Sequence, residues 1–179
     1  MTNINDIINQ DSEAKTKSYK KGDFIQREGE NCTQGYYVKK GLLRSYTIDH
    51  KGKEHIFMFA TEGWIIGDIE SQEFHQPAKL FIDCIEDSEI IIFDRNRINK
   101  MDFSIDQLNK NNSLLLKRMA VLQRRVLMLM SATARERYEF FLDAYPILTN
   151  RLSQRMIASY LGITPEALSK IRGIIAKPK

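Results

Sequence analysis

The chain has 179 residues, a formal net charge of +4 and a sequence pI of about 9.0, and this length provides one good hydrophobic core or two small ones. Residues 1–21 are polar apart from a short isoleucine cluster, and no apolar run approaches the roughly 20 residues needed to cross a bilayer. These features argue against a targeting segment and a membrane partner, so we expect a soluble, cytoplasmic protein.

The charge is unevenly distributed along the chain. Residues 1–114 carry 15 Lys/Arg and 19 Asp/Glu, a net −4, whereas residues 115–179 carry 12 and 4, a net +8. The basic C-terminal part indicates a polyanionic partner. A solvated basic face is the alternative, which charge counting does not exclude.

The two cysteines, Cys32 and Cys84, are too few and too far apart for a metal cluster or a zinc site. His50, His55 and His75 also lack the spacing of metal ligands. We therefore expect two reduced thiols, no metal and no cofactor.

Residues 15–94 alternate short apolar runs with glycine-containing breaks, which is typical of β structure. The predicted strands are Thr16–Tyr19, Asp23–Arg27, Gly35–Lys39, Leu42–Ile48, Glu54–Phe59, Leu80–Ile85 and Glu89–Phe93. Many short strands at roughly ten-residue spacing indicate a sandwich or barrel. The predicted core comprises Phe24, Tyr37, Leu43, Ile56, Met58, Trp64, Ile82 and Ile91.

The segment Gly63–Lys79 is the candidate ligand loop of this β domain. Irregular backbone is expected at Gly67, Asp68, Ser71 and Pro77, where exposed N–H groups can cradle an anion. A plain connecting loop is the alternative.

The segment Phe103–Thr133 contains no proline and no glycine, and its apolar residues recur at helical spacings of three, four and seven. This seam comprises Leu108, Leu115, Met119, Leu122, Val126 and Leu129. Such an a/d pattern indicates a helix that pairs with another helix, and a second copy of the same seam is the simplest partner. An ordinary core helix within its own domain is the alternative.

The C-terminal part predicts a short packing helix, Ala134–Tyr145, ended by Pro146, and then two helices joined by a tight turn. Ser153 is the expected N-cap of the first helix, Gly162 its left-handed C-terminal residue, and Thr164-Pro165 the start of the second. The spacing of a helix-turn-helix is reproduced by Ile157, Ala158, Leu161, Gly162, Ile163, Leu168 and Ile171. A chance pair of packed helices is the alternative.

The outward face of the second helix carries side chains suited to base edges. Glu166 can accept from a cytosine amino group, Lys170 can donate to guanine, and Ser169 suits either. Glu166 is also explained as an acid favoured by the helix dipole. The start of the preceding helix is well placed for phosphate. The predicted DNA-contacting residues are Ser153, Gln154, Arg155, Thr164, Pro165, Glu166, Ser169 and Lys170.

The motifs KKGDFIQREGE, YYVKKGLLRSY, GWIIGDIES and LSQRMIASYLGITPEALSKIR, together with the long helix, resemble the Crp/Fnr family of bacterial transcription regulators over almost the whole chain. The resemblance implies an α+β fold. It assigns residues 1–102 to an antiparallel β-roll of the double-stranded β-helix or jelly-roll type, 103–133 to a dimerisation helix and 134–179 to a helix-turn-helix domain. In this family, the effector state alters helix packing and so the spacing of the two recognition helices.

The resemblance places the candidate effector pocket at Gly67, Asp68, Ile69, Ser71, Ala78 and Lys79. Asp68 falls on the ribose-binding acid of the family, whereas Ala78-Lys79 falls on the Arg-Ser pair that grips the cyclic phosphate. Alanine supplies no guanidinium clamp, and the stretch that contacts the nucleobase is the apolar Leu127–Met130. We therefore expect no response to cyclic AMP and leave the small-molecule effector unknown.

Two further family features differ. An oxygen-sensing iron-sulfur cluster needs four cysteines and no histidine is singled out as a haem ligand, so neither sensor is expected. A wing is not expected either, because only Gly173–Lys179 follow Arg172.

The predicted function is a homodimeric, sequence-specific regulator that binds double-stranded DNA, with RNA polymerase as a further candidate partner. The alternative is an effector-binding or protein-interaction module whose helical C-terminus does not bind DNA. An enzyme is not expected, because the sequence offers no paired nucleophile and base, metal set or phosphate-transfer loop.

Overall fold

The computed structural model describes residue 8 and residues 11–31, 34–98 and 100–176; Cys32, one of the two predicted thiols, lies outside them. The chain divides into two compact units, Met1–Asn111 and Asn112–Lys179. The boundary between these units falls inside the long helix. The predicted three-part division at residues 102 and 133 stays a prediction.

The first unit contains two four-stranded antiparallel sheets, ordered β1-β8-β3-β6 and β2-β7-β4-β5. The strands are β1 Lys15–Tyr19, β2 Phe24–Gln26, β3 Gln34–Lys40, β4 Leu43–Ile48, β5 Glu54–Ala60, β6 Ile65–Ile66, β7 Phe81–Cys84 and β8 Ser88–Asp94. Seven of them begin and end within one residue of the predicted strands. The α+β fold class with an N-terminal antiparallel β domain is confirmed.

The helices in the described part of the chain are α1 Ile69–Phe74, α2 Arg95–Ile98, α3 Ile105–Ser131, α4 Ala134–Ala144, α5 Gln154–Leu161 and α6 Pro165–Ile175, with a 3₁₀ turn at Leu148–Asn150. Strand β6 and helix α1 lie inside the segment Gly63–Lys79, where we predicted irregular backbone. That prediction is wrong for Ser71, which is a buried residue of α1. The local reason is an N-cap at Asp68, whose side chain accepts from the Ser71 N–H.

The main core of the first unit lies between the two sheets and includes Val38, Leu43, Ile82 and Ile90, none of them measurably exposed. The predicted single core corresponds to two separate clusters in the structure. Tyr37 and Ile91 instead form a second cluster with Ile8 and Phe93. The reason is that strand β3 is buried on both faces, so that alternate residues belong to different clusters.

The prediction that Phe24 belongs to the core is wrong, since its side chain is 37% exposed. A register shift separates Phe24 from Gln26 in their pairing with β7, so simple alternation along β2 fails there. The Phe24 ring instead lies under the Arg27 guanidinium, 3.7 Å from ring centroid to Cζ, and edge-on to Phe81.

Helix α3 is continuous over 27 residues, two residues shorter at each end than predicted. The predicted seam residues Leu108, Leu115, Met119, Leu122 and Val126 are between 46% and 66% exposed within the single chain, and Leu129 is half-buried. This exposure disfavours the alternative of a core helix whose seam is covered by its own domain. A strip of apolar side chains therefore remains to be covered.

The second unit is organised around a small helical core. Phe141 of α4, Ile157 and Leu161 of α5 and Leu168 of α6 are each at most 2% exposed. Helix α4 begins with a capping box, in which the Thr133 side chain accepts from the Glu136 N–H and the Glu136 side chain accepts from the Thr133 N–H. It ends at Ala144 before Pro146, as predicted.

Candidate nucleic-acid interface and effector site

The turn between α5 and α6 has the geometry that the sequence predicts. The Ser153 hydroxyl accepts from the Met156 N–H at 3.2 Å, and the Thr164 hydroxyl accepts from the Ala167 N–H at 3.2 Å. Gly162 adopts the left-handed conformation with φ +66°, and the following Ile163 N–H donates back to the Ala158 carbonyl at 3.0 Å. The tight turn therefore depends on a residue without a Cβ at position 162.

All eight predicted DNA-contacting residues are exposed, whereas the predicted packing residues of the motif are buried or half-buried. The two N-cap hydroxyls, on Ser153 and Thr164, accept from the backbone. The Thr164 hydroxyl also donates to the Glu166 carboxylate, whereas the Ser153 hydroxyl lies on the exposed face. A hydroxyl that accepts one hydrogen bond can still donate to a phosphate oxygen. The face thus combines the free N-termini of α5 and α6 with polar donors, an arrangement suited to the backbone of a nucleic acid.

Glu166 and Lys170 lie one helical turn apart on α6 and are both exposed. Hydrogen bonds from its own backbone N–H and from the Thr164 hydroxyl lower the pKa of the Glu166 carboxyl. The carboxylate is therefore an acceptor at neutral pH, whether it reads a base or simply stabilises the N-terminus of α6.

In the candidate effector pocket, Asp68 is 2% exposed and both of its carboxylate oxygens accept from the backbone. Oδ1 accepts from Ser71 N–H at 3.1 Å, while Oδ2 accepts from Lys79 N–H at 2.7 Å and from Leu80 N–H at 3.0 Å. The side chain thus ties the start of α1 to the segment entering β7. This structural use of Asp68 was missed by the sequence analysis, because its partners lie 11 and 12 residues away.

The other predicted pocket residues are placed in different environments. Ala78 is buried, and its backbone N–H donates to the Glu30 carbonyl at 2.9 Å. Lys79 is exposed and its ammonium pairs with the Glu70 carboxylate, while Ile69 is 62% exposed. The ammonium of Lys79, the residue next to Ala78, is therefore already paired with an acid.

Two polar side chains of the roll interior were not predicted. Gln26 and Ser45 are each 1% exposed and flank Ile82 of β7 from the two neighbouring strands. The Gln26 amide donates to the Leu80 carbonyl at 2.9 Å, but neither Gln26 Oε1 nor Ser45 Oγ has a partner among the described residues. Their only signal in the sequence is a polar residue within each predicted strand, and the register shift in β2, which places Gln26 in the interior, cannot be read from the sequence.

Metal-binding chemistry finds little support in the described residues. No three His, Cys, Asp or Glu side chains among them come together in a metal-binding group. Cys84 is buried and free, and burial raises the pKa of its thiol to about 11, so the group is protonated at neutral pH. No helix in this part of the chain is long and apolar enough to span a membrane.

Comparisons with known proteins cover both units. A family model of the cyclic nucleotide-binding domain matches residues 16–102. The chain is 25% identical to electron transport regulator A of Shewanella oneidensis, over 97% of this chain and 72% of that protein. It is 24% identical to the fumarate and nitrate reduction regulatory protein of Escherichia coli, over 91% and 69% respectively. It superposes on the structure of FixK2 from Bradyrhizobium japonicum with a TM-score of 0.74 and 25% identity, over 90% and 84%.

Proposed function

We propose that the chain is a transcription regulator of the Crp/Fnr family, whose members it resembles over both units, and that it binds double-stranded DNA sequence-specifically as a homodimer. The observation that carries the proposal is the helix-turn-helix, whose predicted DNA-contacting residues are all exposed while its packing residues are buried or half-buried. Helix α6 is the recognition helix. Its N-terminal residues contact base edges in the major groove while α5 crosses the phosphate backbone.

Specific roles follow from the chemistry of each exposed side chain. Lys170 donates to guanine, Glu166 accepts from cytosine and Ser169 contacts either base. Gln154 and Arg155, at the start of α5, bind phosphate together with the Ser153 hydroxyl and thereby set the register of the protein on the duplex. The net charge of +8 on residues 115–179 supports this assignment.

The dimer forms through the apolar seam of α3. Five of its six side chains are exposed in the single chain. A two-fold axis along the helix brings the seam of one subunit against the same seam of its partner. The symmetric dimer then presents two copies of α6 to two half-sites of a palindrome. The protein acts in the cytoplasm, and RNA polymerase is its further partner once DNA is bound.

The roll does not respond to cyclic AMP. Ala78 supplies no charge, and the ammonium of Lys79 is paired with Glu70, so a cyclic phosphate finds no bidentate clamp. The stretch Leu127–Met130, to which the resemblance assigns the contacts with the nucleobase, is apolar. The roll therefore binds no cyclic nucleotide, and any effector held by the candidate pocket residues Gly67, Asp68, Ile69, Ser71, Ala78 and Lys79 has a different chemistry.

Selection of bound sites from random duplexes tests the proposal. A two-fold symmetric consensus is the expected result, because only a symmetric dimer selects a palindrome. Against that consensus, Lys170→Gln should lower affinity by about tenfold or more and relax preference at one position per half-site. The matched control is Lys20→Gln in the roll, which removes the same charge from an exposed ion pair with Asp87.

Three results would contradict the proposal. A protein that is monomeric in solution and selects no DNA site would contradict both the homodimer and the sequence-specific DNA binding. If Lys170→Gln binds the same consensus with unchanged affinity, α6 is not the recognition helix. A rise in DNA affinity or melting temperature on adding cyclic AMP would overturn the proposed lack of response, since any ligand that binds the folded state stabilises it.

A further inference from the structure

Carbonyl groups from the ends of two helices converge on the side chain of Arg137. Its Nε donates to the Ala132 carbonyl at 3.0 Å and its Nη2 to the Leu129 carbonyl at 2.8 Å, both at the C-terminal end of α3. Its Nη1 donates to the carbonyl of Leu161, the last residue of α5, at 3.1 Å. The last four carbonyls of a helix lack intrahelical donors. One guanidinium therefore satisfies acceptors from α3 and from α5 at once.

A second guanidinium reinforces the same connection. Arg125 of α3 donates from Nη2 to the Tyr160 carbonyl at 3.2 Å, and its Cζ lies 4.1 Å from the centroid of the Tyr160 ring. Tyr160 is 5% exposed, so this contact is shielded from water. The last two carbonyls of α5 are thus held by arginines that belong to α3 and α4.

The turn into the recognition helix lies against the same group. A Cβ built on Gly162 would contact Arg137 Nη1 at 3.5 Å and Leu129 Cδ2 at 3.6 Å. The N-cap of α6, Thr164, follows two residues later. Because α5, Gly162 and α6 form one short rigid motif, the position of α5 on the end of α3 fixes the direction of α6.

We propose that Arg137, assisted by Arg125, is the positioning residue that sets which half-site spacing the dimer accepts, by fixing the angle between the dimer helix α3 and the recognition helix α6. The inference rests on the proposed function as a DNA-binding dimer. In such a dimer, the α3 pair defines the two-fold axis, and the angle of each α6 to that axis determines where the second half-site must lie. Half-sites one helical turn apart are separated by about 10 base pairs, so each added base pair rotates the second site by about 34°.

The planar fork of arginine is needed for this role. Three N–H groups of Arg137 point at three carbonyls in fixed directions, whereas a lysine ammonium is a point charge on a flexible stem. Arg137→Lys keeps the charge at the helix ends and loses the fixed geometry. It separates an effect of charge on folding from an effect of geometry on DNA spacing.

The experiment measures affinity for duplexes that carry two selected half-sites at four separations: the selected spacer, one base pair shorter, one longer, and about five longer, which is about half a turn. Wild-type protein should prefer one separation. In Arg137→Gln, and to a lesser degree in Arg137→Lys, the ratio of best to worst affinity should fall by about tenfold, as expected when charge-assisted hydrogen bonds are lost. Recognition of the half-site sequence and the dimer mass should be unchanged.

Arg135→Gln is the matched control. Arg135 lies on the same helix and forms an ion pair with Glu139, an i,i+4 neighbour at 2.7 Å, so the same charge is removed from a contact within α4 and not from the contact between α3 and α5. This variant should keep the wild-type spacing preference. If Arg137→Gln is not folded by circular dichroism, Arg125→Gln replaces it, because it removes the contacts of Arg125 with Tyr160 and leaves the three hydrogen bonds of Arg137 in place.

The outcomes separate the two proposals. Variants that weaken binding equally at every spacing, or leave the preference intact, would overturn the positioning role. Wild-type protein that binds palindromes of all spacings equally would do the same while leaving the proposed function standing. Wild-type protein with no affinity for any duplex would instead overturn the proposed function.

Discussion

Arg44 of β4 and Asp83 of β7 form a two-point ion pair across neighbouring strands, with Nε–Oδ1 2.8 Å and Nη2–Oδ2 2.9 Å. The side chains are 11% and 9% exposed. A third contact, from Arg44 Nη1 to the Glu54 carboxylate at 2.6 Å, extends the pair onto β5. Strands β7, β4 and β5 are therefore linked by a network of charges in which the Arg44–Asp83 pair is shielded from water and the Glu54 side chain is 41% exposed.

Removal of one partner from this network should lower the stability of the folded protein. We expect Arg44→Met to lower the free energy of unfolding by about 3 kcal/mol, because the Asp83 carboxylate is left buried without its cation. Urea denaturation measures the change. The control is Lys39→Met, which breaks the exposed pair with Glu89 and should cost less than about 1 kcal/mol. Equal losses in the two variants would contradict the argument from burial.

Asp68 should matter for folding more than for any ligand. Asp68→Ala leaves three backbone N–H groups without their acceptor, and we expect a loss of about 3 kcal/mol in the free energy of unfolding. Glu70→Ala, which breaks the exposed pair with Lys79, should cost less than about 1 kcal/mol. Thermal and urea unfolding of both variants check this. A loss below 1 kcal/mol for Asp68→Ala would show that the carboxylate is not a structural link.

Two glycines of the C-terminal unit should respond in opposite directions to alanine. Gly162→Ala forces a Cβ into the left-handed conformation and should destabilise by about 1 kcal/mol or more. Gly173 lies within α6 with open space around its Cα, so Gly173→Ala should stabilise by up to about 1 kcal/mol. The melting temperature should fall in Gly162→Ala and rise in Gly173→Ala. A change in the same direction in both variants would contradict the assigned backbone conformations.

The β4–β5 hairpin should make stability depend on pH through Asp49. A hydrogen bond from His55 at 2.8 Å, with further bonds from the Lys53 and Lys51 N–H groups, lowers the pKa of this carboxyl to about 2. A depressed folded-state pKa contributes stability above the unfolded value near 3.8, and this contribution is lost as the pH falls from about 4 to 2. Asp49→Asn should therefore be less stable than wild type at pH 6 and equal to it near pH 2. Urea midpoints across this range test the prediction, which fails if the difference persists at pH 2.

The helix-turn-helix was predictable because its determinants are local. Ser153, Gly162, Thr164 and Pro165 each act within a few residues of their own position, so spacing along the chain reports them directly. Seven of the eight strands were equally predictable through their glycine breaks, to within one residue at each end, whereas the two-residue strand β6 was not.

The features that sequence reasoning missed depend on distant partners or on departures from regular geometry. Asp68 caps a short helix and also binds residues 79 and 80, and no periodicity reveals such a link. The register shift in β2 turned Phe24 outward and Gln26 inward, which inverts an assignment made by alternation. The three acceptors of Arg137 come from two other helices, and these only the folded chain brings together.

The exposed apolar strip of α3 has a consequence for the cellular concentration at which the protein is active. In the proposed dimer, the exposed leucines and methionines of this strip are covered only in the pair, so by mass action the fraction of dimeric molecules would rise with the total amount synthesised. Melting temperature should accordingly increase with protein concentration. Gene output controlled by such a protein would follow the square of its abundance when it is scarce, which makes its own expression level a form of control.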